Sequence, residues 1–478
     1  MKKIAAFVLS LASVFSFVAC GGNGGKGDGQ VDDIKIANDY KGSLSISYLP
    51  GDQAEYVILN SVVTEFKKEY PNIKVSMRAL SGSDYLQAVA QMAPAGNIGD
   101  VIFCTDENLQ MMAKRNYFEN LSPYLEQEKI AFDDTLYNSQ VMDMAKIDGS
   151  YYMMPRENTQ VVISVNKTMF EEVQAVLNAD EDPTNDITMP DNEWTLDDAY
   201  EICGKIQPYL NEHKPNSLQR YAISFTHTWA PIFNAVIKAN GGKLVEDNKL
   251  LIDETTQTAF DELKRFYDAG YAPISNSVMF TTQEVMFAVT TATHHTKNAN
   301  MKKSNGDAVE IDYLPFPKTG EEGAAYIPAG TSGYGMFSRS SHKREAFAFL
   351  MFMMSDKGQT ALCESGNIIP VMNKYCSEET LKTAWAKTQM VNGTEVSLNN
   401  EAFVYNYDKV QLNDMLNSLE RYDKNVEIKN AFIEMIRSYT ANEASWSSAS
   451  GKVYDKVGGY FSRSILFHYL LKYPPTLS

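Results

Sequence analysis

The sequence predicts an α/β protein of at least two lobes with a mostly helical C-terminal region. Its 478 residues exceed the size at which one hydrophobic core stops growing. Segments with strand and helix patterns alternate through residues 44–103, which is typical of a sheet with parallel strands. From about Lys409 onward the apolar residues instead follow the 3.6-residue period of helices.

The first of these segments are predicted from their apolar spacing. Alternation of apolar and polar residues predicts the strands. Apolar residues at the helical period predict a helix after the Pro50–Gly51 turn, and Pro71 ends that helix. The predicted elements are a strand at 44–48, a helix over Ala54–Tyr70, a strand over Ile73–Leu80, a helix over Tyr85–Met92 and a strand over Val101–Phe103. Their order predicts a parallel sheet in the opening lobe.

Later elements are marked mainly by helix caps. Thr195, with Asp198 three residues on, predicts a capped helix start just after Trp194. Ser355 predicts a second cap, which follows a helix that ends at Met354. The predicted elements are a strand over Val161–Val165, a helix from Thr195 through Ile206, a helix over Thr256–Ala269 and a helix over Lys343–Met354.

Composition and charge narrow the classes of partner. Apolar residues make up 44% of the chain and charged residues 22%, which is typical of a globular protein. The formal net charge is −17, and so negative a surface repels phosphate backbones. The sequence therefore predicts no nucleic-acid partner.

The N-terminus carries an export pattern. Lys2 and Lys3 precede an apolar run over residues 4–18 that is short for a bilayer span, so residues 1–19 are interpreted as a signal peptide. The sequence Phe17-Val18-Ala19-Cys20-Gly21 resembles the lipobox of bacterial lipoproteins, with Phe17 where Leu is usual. Acylated Cys20 is expected to hold an exported protein at the cell surface. The alternative is a transmembrane anchor with an incidental cysteine.

The residues after Cys20 are rich in glycine, and residues 20–43 are predicted to form the lipidated cysteine and a flexible tether. Four cysteines remain: Cys104, Cys203, Cys363 and Cys376. They lack C-x-x-C spacing, so buried free thiols are expected. A Cys363–Cys376 bridge stays open, because the expected compartment is oxidising.

A series of short landmarks follows in order along the chain. They are Phe66–Val75, Gly99–Phe103, Leu121–Tyr124, Asp148–Pro155, Val165–Lys167, Glu193–Thr195, Asn240–Gly242, Glu345–Leu350 and Pro370–Val371. Taken with the lipobox and the tether, this order resembles the extracellular solute-binding proteins of ABC importers, in the branch that includes maltose-binding protein. The resemblance covers most of residues 44–372.

The resemblance implies a two-lobed clamshell of the periplasmic-binding-protein type II. Lobe one would comprise residues 44–154 plus 328–371, and lobe two residues 158–326 plus 374–478. Three crossings are expected near residues 154–158, 326–331 and 370–374. Gly330, Gly333 and Gly335 suit a hinge that changes φ/ψ, or else a plain surface turn. The implied partners are a small solute, most simply a carbohydrate, and the ABC permease subunits of a membrane that the protein contacts through its lipid; the protein is expected to be a monomer.

A sugar site needs flat aromatic side chains for stacking and carboxylates or amides for hydrogen bonds. By its loop position and its place in the resembling family, Trp229 is the leading binding residue, with core packing as the alternative. Trp194 is expected to be structural. Gln53 replaces a more usual Lys, and Cys104 stands where the maltose-binding branch has a stacking Trp, so a maltodextrin is disfavoured. The expected ligand-binding residues are Asp52, Gln53, Asp106, Glu107, Glu157, Asn158, Thr159, His227, Trp229, His295 (or His294) and Tyr334, the last weighed equally against core packing.

The strong enzyme motifs are absent from the sequence, so no catalytic residue, cofactor or metal is predicted. The acidic loop over residues 180–186 resembles a calcium loop but has Pro183 and no turn glycine, which favours a solvated loop. Two other functions stay open. One is a surface-anchored carbohydrate-active enzyme with paired carboxylates, and the other is a solute-binding protein that reports to a sensor.

Overall fold

The computed structural model describes residues 34–49, 53–80, 85–213, 218–247, 249–275, 280–319, 327–407, 410–411 and 425–457. The predicted signal peptide, Cys20 and Asp52 lie outside these residues, as does the start of the tether. Of Gln53 only the backbone is described.

The strands are β1 Gly42–Tyr48, β2 Ile73–Ala79, β3 Val101–Thr105, β4 Lys146–Ile147, β5 Ser150–Tyr151, β6 Met154–Pro155, β7 Thr159–Gln160, β8 Val162–Asn166, β9 Tyr221–Ser224, β10 Val245–Glu246, β11 Lys249–Leu250, β12 Val285–Thr290, β13 Ile311–Pro315, β14 Ile327–Gly330, β15 Ser332–Met336, β16 Thr388–Val391, β17 Thr394–Ser397 and β18 Val410–Gln411. The helices are α1 Gln53–Glu69, α2 Tyr85–Met92, α3 Asp106–Lys114, α4 Ser122–Glu128, α5 Ser139–Met144, α6 Lys167–Leu177, α7 Leu196–Glu212, α8 Ala230–Ala239, α9 Glu254–Asp268, α10 His295–Ala299, α11 Lys343–Met354, α12 Asp356–Glu364, α13 Lys374–Ser377, α14 Glu379–Lys382, α15 Asn425–Thr440 and α16 Trp446–Val457. Short 3-10 turns lie at Phe280–Thr282, Ala292–His294 and Asn400–Phe403.

The first sheet has the order β2-β1-β3-β15-β6. Strand β1 runs parallel to both β2 and β3, as predicted. Strands β15 and β6 add to it in antiparallel pairs, so the prediction of a parallel sheet is wrong for this half. Strand β15 enters only after the chain has passed through the second sheet, and that return path sets its direction. The core of this lobe lies between the sheet and helices that include α1 and α11.

The second sheet has the order β13-β8-β12-β9, with β8 antiparallel to both of its neighbours and β9 parallel to β12. Its core takes in α6 to α9 together with α15 and α16. Helix α7 begins with the predicted capping box, in which Thr195 and Asp198 bond to each other's backbone N–H. Trp194 is buried and donates its Nε1–H to the carbonyl of Pro315 at 2.9 Å. Its structural role is therefore as predicted.

Two short strands join the sheets. Strand β7 pairs with β14 in antiparallel fashion, and the N–H of Asn158 donates to the carbonyl of Ile369 at 2.9 Å. The first crossing, the second crossing and the segment around Ile369 therefore lie side by side.

Glycines near the second crossing serve close approach. A Cβ on Gly333 would overlap the carbonyl oxygen of Met154, and one on Gly335 would lie 2.5 Å from the Phe118 ring. Neither these glycines nor Gly330 has a left-handed φ. At Gly333 and Gly335, close strand and ring packing excludes a side chain. The expected role of the three glycines in changing φ/ψ remains a prediction.

Both ends of the described chain differ from the sequence-based picture. Ile34 is 2% exposed in the core of the first lobe, so the ordered lobe begins before residue 44 and shortens the predicted tether. Near the other end, Val410 lies in the strand β18, which pairs with β14, and not in a helix as its apolar spacing predicted. Residues 425–457 do carry two helices, α15 and α16, as predicted. The lobe boundaries themselves remain a prediction.

The four described cysteines are buried and free. In the acidic loop, Asp180 and Asp182 accept hydrogen bonds from within the loop, and no metal-binding cluster occurs among the residues that the structure covers. Within the same residues, no helix has the length and apolarity needed to cross a membrane.

Candidate functional site

A cavity of about 340 Å³ lies at the end of β12 in the second lobe. Its walls combine an indole and a phenyl ring with hydroxyl, amide and imidazole groups and one ammonium. The lining residues are Ser164, Thr226, Trp229, Phe280, Thr281, Ala288, Val289, Thr290, Thr291, His294, Lys297 and Asn298. The mixture of flat apolar surface and hydrogen-bonding groups suits a small polar solute.

Trp229 is held at the cavity by the turn before α8. Thr226 has a left-handed φ of 50°, and its carbonyl accepts a hydrogen bond from the N–H of Trp229 at 2.8 Å. Pro231 then fixes the first turn of α8, where its missing N–H costs nothing. The indole is partly buried and packs against the lobe-two core while it lines the cavity. Trp229 thus lies where the sequence analysis expected a binding residue, although its role remains a prediction.

The opposite wall comes from the turn after β12 and from α10. Thr291 Oγ1 lies 3.2 Å from His294 Nδ1, and Asn298 donates from Nδ2 to Ser164 Oγ at 2.9 Å. His294 and Lys297 are spaced i, i+3 and therefore share one face of this segment. Helix α1 of the first lobe lies against the turn at Ala292–His294. The cavity wall therefore faces the other lobe.

His295 has a different position from the one expected. Its Nδ1 lies 2.8 Å from the Tyr313 hydroxyl and its Nε2 lies 3.0 Å from the carbonyl oxygen of Thr388. Burial, together with the nearby charge of Lys387, lowers the pKa of His295 to about 4. The two ring nitrogens thus link β13 to β16, and the cavity is lined by its neighbour His294 instead.

His227 is 2% exposed and does not line the cavity. Its ring lies edge-on to Tyr267, with 4.6 Å between the ring centroids. Neither ring nitrogen has a hydrogen-bond partner among the described residues, and burial lowers the pKa of His227 to about 4. The side chain is therefore a neutral part of the interior under the cavity loop.

Asp106 and Glu107 open helix α3 in the first lobe. The carboxylate of Asp106 accepts a long hydrogen bond of 3.4 Å from the N–H of Thr331, at the second crossing. Glu107 Oε2 accepts a hydrogen bond from Lys429 Nζ at 3.0 Å. Because Lys429 belongs to α15 of the second lobe, this ion pair spans the two lobes.

The first crossing contains a buried ionic cluster that sequence analysis missed. Arg156 donates from Nη2 to Glu55 of α1 at 2.9 Å and to Glu157 at 3.2 Å, and from Nε to Ser332 Oγ at 2.9 Å. Burial opposes the charge on Arg156, but Glu55 and Glu157 outweigh it and raise the pKa of the guanidinium. Ser332 Oγ also bonds to Glu157. The Glu157 carboxylate is thus engaged in joining the first two crossings.

Several polar atoms beside this cluster are buried without a described partner. They include Oγ1 of Thr159 and, apart from an interaction with the Cys376 thiol, the amide group of Asn158. Buried polar groups of native proteins are normally paired, so such a group marks a place for water, a ligand or a second conformation. Asn158 and Thr159 lie at the crossing as expected, with these atoms directed into the interior.

Tyr334 lies in the core of the first lobe with 1% of its surface exposed. Its ring packs edge-on to Phe103 and Phe349. Burial raises the pKa of the Tyr334 hydroxyl. Of the two interpretations left open for this residue, core packing matches its position.

The structure therefore brings one expected residue, Trp229, and the alternative His294 to the cavity. It adds residues that sequence reasoning did not name, among them Thr226, Thr291, Lys297 and Asn298. The sequence signal for Trp229 is the position of a tryptophan in a loop between a predicted strand and a predicted helix. The others are common polar residues whose neighbours are set by a turn and a five-residue helix, which carry no periodic signal.

Comparison with known proteins agrees with this two-lobed arrangement. Residues 61–390 match the family described as bacterial extracellular solute-binding protein, which is more than half of the chain. The chain belongs to this family. It is accordingly an exported solute-binding protein. The solved structures below confirm the two-lobed fold.

Solved structures share the fold at low sequence identity. An ABC substrate-binding protein from Listeria monocytogenes in complex with cycloalternan aligns with a TM-score of 0.68 and 17% identity over 88% of this chain and 99% of its own. UgpB from Mycobacterium tuberculosis in complex with glycerophosphocholine aligns with a TM-score of 0.66 and 16% identity, over 90% of this chain and 100% of its own. The sugar-binding protein MalE from Xanthomonas citri aligns with a TM-score of 0.64 and 15% identity, over 90% of this chain and 99% of its own.

Proposed function

We propose that this solute-binding protein captures a saccharide between its lobes and delivers it to the permease of an ABC importer. The observation that carries the proposal is the Trp229 cavity, where an aromatic face lies among hydroxyl and amide groups on a wall that contacts α1 of the other lobe. A sugar ring has an apolar face for the indole and a rim of hydroxyls for the polar groups.

The names of several structural relatives support a carbohydrate. Two of the proteins compared above are a cycloalternan complex and a sugar-binding protein. The glycerophosphocholine complex shows that the same fold also accommodates a charged solute that is not a sugar. A saccharide is therefore a proposal about this chain that needs a direct binding measurement.

The test is a thermal-shift panel of mono- and oligosaccharides, with glycerophosphodiesters for comparison, followed by titration calorimetry of every hit. A ligand at 100 times its dissociation constant should stabilise the protein by about 2.7 kcal/mol. The expected result is stoichiometric binding with the saccharide recovered unchanged. Consumption of the saccharide would favour the carbohydrate-active enzyme, and binding of glycerophosphodiesters alone would replace the saccharide with another solute class.

We further propose that Cys20 is acylated and anchors the exported protein at the cell surface. The charged, apolar and Ala-Cys order of the first twenty residues supports this. Cys20→Ala should abolish incorporation of a fatty-acid analogue in cells and release the protein from the membrane fraction. Cys104→Ala is the control, because that thiol is buried in the first lobe. Label that persists in Cys20→Ala would refute the anchor.

A further inference from the structure

The charge of the cavity wall narrows the class of solute. The lining supplies hydroxyl groups, an amide, an imidazole and the ammonium of Lys297, and no carboxylate among the described lining residues. A carboxylate accepts hydrogen bonds from two sugar hydroxyls, whereas an ammonium can only donate. This wall is therefore richer in donors than a site for a neutral sugar requires.

Lys297 carries a positive charge in a protein with a formal net charge of −17. Several lysines of the second lobe have carboxylate partners, such as Lys303 with Glu172 and Lys264 with Asp268, both at 2.6 Å. For Lys297, no carboxylate lies within 4.0 Å among the residues that the structure describes. Its position on the cavity wall leaves this charge available to a solute.

Two carboxylates of the first lobe, on helices that contact the second lobe, are already paired. Glu55, on the helix that lies against the cavity wall, pairs with Arg156 at 2.9 Å. Glu107 pairs with Lys429 at 3.0 Å. Closing the lobes therefore brings two neutralised carboxylates toward the cavity, and Lys297 keeps its charge.

We propose, resting on the proposed function, that the solute is a saccharide with an anionic substituent that binds Lys297 while its ring packs on Trp229. The carboxylate of a uronic acid and a sulfate ester share this chemistry. Thr291 and His294 lie on the same wall and supply further hydrogen-bonding groups beside the anion.

The experiment compares matched acidic and neutral saccharides by titration calorimetry. One pair is oligogalacturonates of a few sugar units and their methyl esters, and a second is galactose 6-sulfate and galactose. Neutral malto-, cello- and xylo-oligosaccharides complete the panel. A member of the acidic set should bind at least 10-fold more tightly than its neutral counterpart, and the two pairs distinguish a carboxylate from a sulfate.

Lys297→Met should then weaken binding of the acidic saccharide by about 10- to 100-fold. The affinity for the neutral counterpart should stay within about 2-fold of the wild-type value. Lys297→Arg should retain most of the affinity, because it keeps the charge. Lys302→Met is the matched control, since it removes an exposed lysine that does not line the cavity. Melting temperatures of all three variants should match that of the wild type.

Each outcome separates the inference from the function on which it rests. Tight binding of a neutral saccharide, with no preference for its acidic form, would overturn the inference and leave the saccharide function standing. An acidic preference that survives in Lys297→Met would also overturn it. Failure of every saccharide in the panel to bind would overturn both.

Discussion

At the scale of single residues, hydrogen-bond partners decide which side chains are available to a solute. His295 and Glu157 have polar atoms engaged in holding β16 and the crossings. Trp229 packs against the core and also lines the cavity. The residue type alone does not distinguish these cases, because the partners come from distant parts of the chain.

Trp229→Ala should weaken saccharide binding by about 2 kcal/mol, or about 30-fold, which is the loss typical of a central aromatic anchor. Titration calorimetry measures the affinity, and chemical denaturation measures the free energy of unfolding. Trp446→Ala is the matched control, because Trp446 also packs partly buried against the lobe-two core but does not line the cavity. Equal loss of affinity in both variants would contradict a binding role for Trp229.

His227 should make the protein less stable in mild acid. Its pKa of about 4 lies below the usual 6.5, so between these values the unfolded chain binds a proton that the folded protein does not. The free energy of unfolding should therefore fall by about 2 kcal/mol between pH 7 and pH 5 on account of this group. His227→Phe should reduce that fall, whereas the control His213→Phe, at an exposed residue, should not. The measurement is urea denaturation at both pH values, and an equal fall in the two variants would refute the assignment.

At the scale of elements, the sheets depend on close approaches that only particular residues allow. The pairing of β15 with β6 brings Gly333 against the backbone of Met154 and Pro155. The start of α7 likewise depends on the capping box of Thr195 and Asp198. The first feature joins segments far apart in sequence, while the second lies within four residues.

Gly333→Ala should destabilise the protein by about 2 kcal/mol or more, because its Cβ would overlap a backbone carbonyl that cannot rotate away. Gly330→Ala is the matched control three residues earlier. There the Cβ meets only Asp106 Oδ1 at 3.5 Å, which is ordinary contact. Thermal and chemical denaturation check both variants. Equal stability of the two would mean that β15 and β6 separate freely.

At the scale of the whole molecule, the lobes are joined by the crossings and by the ion pair between Glu107 and Lys429. The first two crossings are cross-braced, since Thr331 Oγ1 donates to the carbonyl of Glu157 at 2.6 Å. The ion pair lies farther out, with side chains 27% and 20% exposed. Opening of the lobes should break this pair and leave the brace near Glu157 intact.

Glu107→Gln should loosen the lobes in the absence of solute, because it removes a partly exposed ion pair that contributes about 1 kcal/mol or less. Small-angle scattering should show a larger radius of gyration for this variant than for the wild type. Saturating saccharide should reduce the radius of both. The exchanged pair Glu107→Lys with Lys429→Glu should restore the wild-type radius. An unchanged radius of gyration in every case would mean that the Glu107–Lys429 ion pair does not hold the lobes together.

The sequence by itself determined the features that arise within short segments. The extent of α2 and α11, the caps at Thr195 and Ser355, and the parallel start of the first sheet follow from apolar period and capping chemistry that act over a few residues. The family was also determined by sequence, because its landmarks occur in a fixed order along the chain.

Only the tertiary structure decided the direction of β15, the engagement of Glu157 with Arg156, and the cavity shared by Trp229 and Lys297. Each of these depends on residues that are distant in sequence and on the path by which the chain returns between the sheets. Local propensity contains no information about such neighbours. A carboxylate or a lysine has the same local preferences whether it lies at a free surface, in an ion pair or at a cavity.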